Sequence, residues 1–390
     1  MALDFQQVRQ QIITLADKAP GRAEELRNLR DTAEKLLSKY ALDLDYLRDK
    51  VDRAANLNKN LRCAIPTDEA FTDTFPLPPL PDEVTIIAAD GSQINPNRHW
   101  ALEYCLVNVG AIRLKFGKGE APEEIVESQL LFEEDLYAGV GTITDRMVAL
   151  MRDQREREFL ADLAEKVEGP VITFTDGPVE LWGLRELKDS LRFERYLMAL
   201  SKLRKMGAIT AGYVDKPRST LVIRLLELAA LPENEMKEAG KKPWLLGIFD
   251  TTLFERKLDP GERTALFGIQ SPSANPYKDE LVLHFFYLNV SLNEKTPYLV
   301  RVEVPAWVAE DKKLLNDLHA VLVSQCQAIE NRPFPYLLHR AHETAVVTRD
   351  EKEQVDTMIS LELRNRGLKP GFRSGKQFYK DQPGRTRIGT

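Results

Sequence analysis

Cysteine is scarce in this chain: Cys63, Cys105 and Cys326 are the only three in 390 residues. Odd in number and widely spaced, they exclude a disulfide scaffold and a cysteine-built zinc site, and they fit a reducing cytosol. Long apolar runs are also missing. None approaches the roughly 18 residues of a membrane helix, and the N-terminal Met-Ala-Leu-Asp-Phe-Gln-Gln carries no signal-peptide core. The expectation is a cytoplasmic protein with no membrane partner. No excess of positive charge exists either, because the formal net charge is −6. The molecule as a whole is therefore not a basic nucleic-acid binder, and a nucleic-acid partner would have to meet a local basic surface. Internal repeats and a clear glycine-rich phosphate loop are absent too.

What is present is an ordinary globular composition, 43% hydrophobic and 29% charged, in a chain long enough for one large or two modest domains. Residues 1–64 read as a helical hairpin or arm. Leu29, Ala33, Leu36, Tyr40, Leu44, Leu47, Val51 and Ala54 recur in steps of three and four. Pro20-Gly21 is expected to separate this seam from a first short helix carrying Phe5, Val8, Ile12 and Ile13. The hairpin could pack on its own domain or reach another subunit. Residues 65–82, with Pro66, Pro76, Pro78, Pro79 and Pro81, read as an extended linker. A catalytic domain is expected over 83–366, followed by a flexible basic tail, 367–390, containing Arg373, Lys376, Lys380, Arg385 and Arg387.

Two segments carry the chemistry. Val84-Thr-Ile-Ile-Ala-Ala-Asp90-Gly and Val171-Ile-Thr-Phe-Thr-Asp176-Gly are apolar, β-branched runs that end in Asp-Gly. Each reads as a buried strand with an acid at its end, the glycine letting the chain turn at once. Two such ends side by side would hold two carboxylates whose repulsion a divalent cation relieves. The structural alternative for each is a turn-forming Asp before Gly.

Between them the pattern predicts strands at 104–114 and 125–132, antiparallel neighbours of the first, then a helix over 144–167. Helices are expected at 184–206, 219–231, 310–330 and 351–366, and strands at 245–250, 281–290 and 298–304. The order strand, strand, strand, helix, strand, helix, with acids on the first and fourth strands, is that of an α/β RNase H-like fold: a mixed β-sheet flanked by helices. Such a fold also wants a carboxylate on the first helix. Glu156 shares the apolar face of its helix and is the candidate; Glu158 lies with Gln154, Arg155 and Asp162 on a polar face. The alternative for Glu156 is a surface pair with Arg152, four residues earlier.

Ala89-Asp90-Gly-Ser-Gln, Thr175-Asp176-Gly-Pro, Gly212-Tyr-Val-Asp-Lys216, His284-Phe-Phe-Tyr287-Leu, Arg301-Val-Glu-Val-Pro305 and Pro333-Phe-Pro-Tyr-Leu-Leu-His-Arg-Ala341-His342-Glu, in this order, resemble the NurA nucleases of archaea and bacteria. Pro178 stands where Ser is common, and 232–280 is longer than expected. The resemblance implies a manganese-dependent (magnesium is also possible) 5′-to-3′ DNA nuclease. It further implies a homodimer that processes DNA ends with a HerA-type hexameric translocase. It marks His342 and Tyr287 as active-site residues beside Asp90, Asp176 and Glu156. His342 could bind metal or move a proton, with His339 as a rival; Tyr287 could orient phosphate or water, or be a half-buried sheet aromatic.

Oxygen ligands select Mg2+ or Mn2+ over zinc, and two such ions suit phosphodiester hydrolysis. Arg192, Arg195, Lys202, Arg204, Lys205, Lys216, Arg218 and Arg224 supply basic charge, much of it expected on solvated helix faces. Lys216 and Arg218, in a loop around Pro217, are the stronger candidates for phosphate contact. An actin-like phosphotransferase would need a second phosphate loop. A haloacid-dehalogenase-type phosphatase would need a second Asp where Ser92 and Pro178 stand. A non-catalytic translocase adaptor would not need the acids.

Overall fold

The N-terminal periodicity becomes two helices, α1 (Phe5–Lys39) and α2 (Leu44–Leu57), in a computed structural model that describes residues 3–96, 103–132, 143–182, 190–292, 296–329 and 332–368. The basic tail from 369 lies outside these residues. The expected break at Pro20-Gly21 does not occur: α1 runs through Pro20. A proline inside a helix removes one backbone bond, and the helix carries this loss even with Gly21 next to it. The chain breaks at residues 40–43 instead, where Ala41 is buried and its carbonyl accepts the Phe71 N–H. The start of α1 also stays uncovered. Phe5, Ile12, Ile13 and Leu15 are exposed, and burial begins further along with Arg30, Ala33 and Leu37.

Two compact units divide the chain, the first made of 1–81, 176–180 and 209–336 and the second of 82–175, 181–208 and 337 onward. The proline-rich segment contributes two short strands to the first unit, β1 (Cys63–Pro66) and β2 (Thr74–Phe75). The chain then builds β3 (Val84–Ile94), β4 (Tyr104–Phe116), β5 (Glu123–Phe132), α3 (Asp145–Ala164), β6 (Val171–Asp176) and α4 (Ser190–Lys205). It returns to the first unit for β7 (Ile209–Val214), α5 (Leu221–Ala230), α6 (Asp250–Phe254), β8 (Arg263–Thr264) and β9 (Phe267–Gln270). β10 (Leu283–Asn289), β11 (Leu299–Pro305), α7 (Ala306–Ala309) and α8 (Lys312–Gln327) complete that unit. α9 (Tyr336–Ala345), apart from its first residue, and α10 (Arg349–Asn365) belong to the second.

In the second unit the strand order is β6-β3-β4-β5, with β6 parallel to β3 and the other pairs antiparallel. An antiparallel meander, a helix and then a strand returning parallel to the first form the RNase H-like arrangement read from the sequence. α3 packs on β3 and β4, and α4 packs on α3. Thr144 caps α3 by accepting the Met147 N–H, as an N-terminal threonine does. Val148, Met151, Phe159, Leu160 and Leu163 form its buried face.

In the first unit the order is β1-β9-β10-β11-β7, antiparallel throughout. The strand expected at 245–250 is absent. The Trp244 and Leu245 N–H groups donate to Glu227, Gly247 takes a positive φ, and Asp250 opens α6. Asp250 supports a neighbouring helix. Its carboxylate accepts the Ile223 N–H at the start of α5, while buried Lys50 donates to the Ala229 and Leu231 carbonyls at the other end. An anion at the N-terminus and a cation at the C-terminus both oppose the helix dipole.

His319, on α8, is fully buried. Its Nε2–H donates to the Gly261 carbonyl at 2.7 Å, and burial lowers its pKa from 6.5 to about 4. The unfolded chain therefore binds a proton that the folded chain refuses. This contribution to stability is complete above about pH 6.5 and is lost as pH falls towards about 4. Chemical denaturation of His319→Gln beside the parent should show their stability difference shifting across this window. A difference that does not change with pH would contradict the assignment.

Candidate active site

Asp90 does not sit at a strand end. β3 continues through Asp90, Gly91 and Ser92 to Ile94, and Asp90 faces Gly110 of β4. The parallel register with β6 runs from Thr85 and Val171 to Ala89 and Thr175, the residues just before Asp90 and Asp176. Asp90 therefore lies one residue past the last pair with β6, on a strand still held by β4 on its other side.

Side chains alternate across a strand, and this alternation explains the Asp-Gly-Ser motif. Gly91 faces α3. A methyl group there would stand 2.6 Å from Glu156 Oε1 and 2.6 Å from Arg152 Cγ, so the glycine makes room for the helix rather than a turn. On the other face, Gly110 leaves room for α9: a methyl group would stand 2.6 Å from the Ala345 backbone nitrogen and 2.9 Å from the Ala341 carbonyl. The Ser92 hydroxyl and the Asn108 amide, opposite each other in the register, both donate to the Ala345 carbonyl at 2.5 and 2.7 Å. They pin the end of α9, whose last turn carries His342. The His342 Nδ1–H then donates to Asp90 Oδ2 at 2.6 Å.

On the α3 side, Glu156 is buried and Arg152 Nε lies 3.4 Å from its Oε1. Glu156 therefore lies against the sheet, as its place on the apolar face of the helix implies, and its pair with Arg152 is buried rather than a surface pair. Glu158 has other partners, the Gln154 amide, Arg155 and Arg195. One acid was missed. Asp153, one turn before Glu156, pairs with Arg152 at 2.7 Å. Burial raises the Glu156 pKa well above its ordinary value, with the charges of Asp153 and Asp90 adding to it, although Arg152 and Arg157 pull it down. Asp153 is raised by burial and by Asp90, against Arg152. The only available signal for Asp153 was its spacing of three from Glu156 on one helix.

Asp176, Tyr287, Lys216 and Arg218 belong to the first unit. Asp176 ends β6 and is exposed, and Gly177 follows at positive φ, so the expected turn is present there. Tyr287, expected to orient a phosphate or a water, is fully buried, and its hydroxyl donates to Asp250 at 2.7 Å. Lys216 and Arg218 are exposed around buried Pro217, and Lys216 lies over the Tyr298 ring. Several other basic candidates are engaged: Arg195 with Glu158, Lys202 with Asp162 and Glu165, Arg224 with Glu227.

A NurA domain matches residues 84–347, more than half of the chain. The chain belongs to the NurA family of nucleases. The match spans β3 with Asp90 and Gly91, α3 with Glu156, and α9 with His342. Among solved structures, a NurA crystallised with manganese is 10% identical, covering 73% of this chain and 90% of its own, with a TM-score of 0.39. A second NurA structure is 12% identical, covering 92% and 97%, with a TM-score of 0.40. Endonuclease V of Ciona intestinalis, in complex with a 24mer DNA containing an inosine, is 12% identical, covering 82% and 99%, with a TM-score of 0.32. No curated protein sequence matches significantly. No helix among the described residues is long and apolar enough to cross a membrane.

Gly91→Ala should destabilise the protein by about 1–3 kcal/mol, the usual cost of overpacking, and displace α3 from β3. Thermal unfolding with hydrogen exchange on α3 measures both. Parent-like stability and protection would show that the glycine is not needed for this contact.

Proposed function

We propose that this protein is a divalent-metal-dependent deoxyribonuclease, a 5′-to-3′ exonuclease with possible endonuclease activity, that processes DNA ends. The observation that carries the reading lies inside the matched NurA domain: Asp90 is held by His342 on one face of β3, while Glu156 lies against Gly91 on the other.

Among the described residues, no three His, Cys, Asp or Glu side chains stand ready as a metal cage. The donor chemistry still fits Mn2+ or Mg2+. Carboxylate oxygens and an imidazole are ligands for such ions, and the raised Glu156 and Asp153 carboxyls mark a site short of positive charge. Asp90, Glu156, Asp176 and His342 are the proposed ligands. Asp176 enters on chain continuity alone, as the residue after Thr175 in the β3–β6 register. When bound, one or two divalent ions would neutralise phosphate charge and lower the pKa of an attacking water.

The chain's own residues supply the rest. Asp90 fixes the His342 ring by accepting its Nδ1–H, leaving Nε2 as the nitrogen that would bind a metal ion or move a proton. Tyr287 supports Asp250 and is left out of the chemistry. Lys216 and Arg218 are proposed phosphate contacts, reading backbone charge without sequence preference. By the family resemblance, a homodimer working with a HerA-type hexameric translocase completes the reading.

End-labelled single- and double-stranded DNA, incubated with the protein and Mn2+ or Mg2+, should be degraded. EDTA and Asp90→Asn should each reduce cleavage to background, with the variant still folded by circular dichroism. Undiminished cleavage in EDTA would exclude the metal, and undiminished cleavage by both Asp90→Asn and Asp176→Asn would exclude the site. Lys216→Ala should weaken DNA binding and flatten its salt dependence by about one unit of slope; an unchanged slope would remove Lys216 from the interface.

A further inference from the structure

The acid cluster contains a cation of its own. The Arg152 stem lies over Gly91, where a methyl group would stand 2.6 Å from Cγ and 3.0 Å from Cδ. Its guanidinium pairs with Asp153 at 2.7 Å and with Glu156 at 3.4 Å. Asp90, Asp153 and Glu156 all hold the Arg152 charge in place. The other arginine that acts on Glu156 is differently placed: Arg157 is fully buried and donates to Thr175 at 2.9 Å. Arg152 keeps about a third of its side chain exposed, 32%, so it has room to leave.

We propose that Arg152 is a resident counter-ion, held by Asp153 and Glu156 while no divalent cation is bound and releasing Glu156 when one enters. This rests on the metal-dependent reading above and adds to it. Arg152 stabilises the cation-free fold, where Asp153 and Glu156 would otherwise repel each other. By the same charge it competes with the incoming ion and weakens its binding. The metal affinity of the site is therefore set partly by a residue that is not a ligand. A purely structural ion pair on α3 would affect stability but leave metal affinity alone.

The test is calorimetric titration of Mn2+ into the EDTA-stripped, dialysed full chain, together with thermal unfolding with and without Mn2+. Arg152→Gln should bind Mn2+ about tenfold more tightly than the parent, the scale expected from removing one like charge. It should melt lower without metal and regain most of the loss with Mn2+. Arg152→Lys keeps the charge and should bind Mn2+ within about threefold of the parent. Unchanged or weaker binding by Arg152→Gln, or equal tightening by both variants, would overturn the proposal while leaving the metal site standing. Absence of Mn2+ binding by the parent would overturn the metal reading and the proposal together. If Arg152→Gln is unfolded without metal, recovery of the native circular dichroism on adding Mn2+ supports the proposal, and failure to recover counts against it.

Discussion

The structure of the second unit depends on two close approaches to one pair of strands. β3 must admit α3 on one face of the sheet and its neighbour β4 must admit α9 on the other, at Gly110 opposite Asp90, and backbone-to-helix distances this short leave no space for a β-carbon. Gly91 meets the first demand and Gly110 the second. Because successive side chains alternate, Asp90 and Ser92 share the face towards α9, and Gly91 alone faces α3. The acid, the helix contact and the pin for the second helix thus fall on three consecutive residues. A shift of one residue in register would send Asp90 to the α3 face and break all three.

Electrostatics follows from this packing. Bringing α3 onto Gly91 buries Glu156, and burial raises its pKa together with that of Asp153. Arg152 compensates in part, since both carboxyls remain raised in its presence. A site left short of positive charge in this way is poised for a hard cation and for a phosphodiester held by that cation. The second unit gives up some electrostatic stability at the position where the proposed chemistry needs it, a common arrangement at functional sites.

Much of this was legible in sequence. Apolar, β-branched runs gave β3 to β6, with the antiparallel sense of β3, β4 and β5, and helical spacing chose Glu156 over Glu158. What was misread has physical causes. Gly91 was taken for a turn because Asp-Gly ordinarily makes one, and a strand glycine that admits a helix looks the same in one dimension. The helix break was expected at Pro20-Gly21, but α1 carries both residues in an exposed stretch, and the chain breaks instead at residues 40–43, where Ala41 is buried. Tyr287 sits in an aromatic strand whose burial on both faces was not visible without the fold, and its partner Asp250 looked like a strand end. β1, β2, β8 and β9 are two to four residues long, too short for a periodicity. Ser92 and Asn108 carried no local signal because their roles come from register and helix packing, and Asp153 carried only its spacing from Glu156.

The central claim is that the acids of β3 and α3 bind a divalent cation. Anomalous diffraction from crystals grown with Mn2+, recorded at the manganese edge, tests it most directly. The account predicts manganese within about 2.0–2.6 Å of a carboxylate oxygen of Asp90 and of Glu156, as one shared ion or as two, with Arg152 moved away from Glu156. A manganese peak only elsewhere on the molecule, or none at saturating Mn2+ with Arg152 still on Glu156, would contradict it.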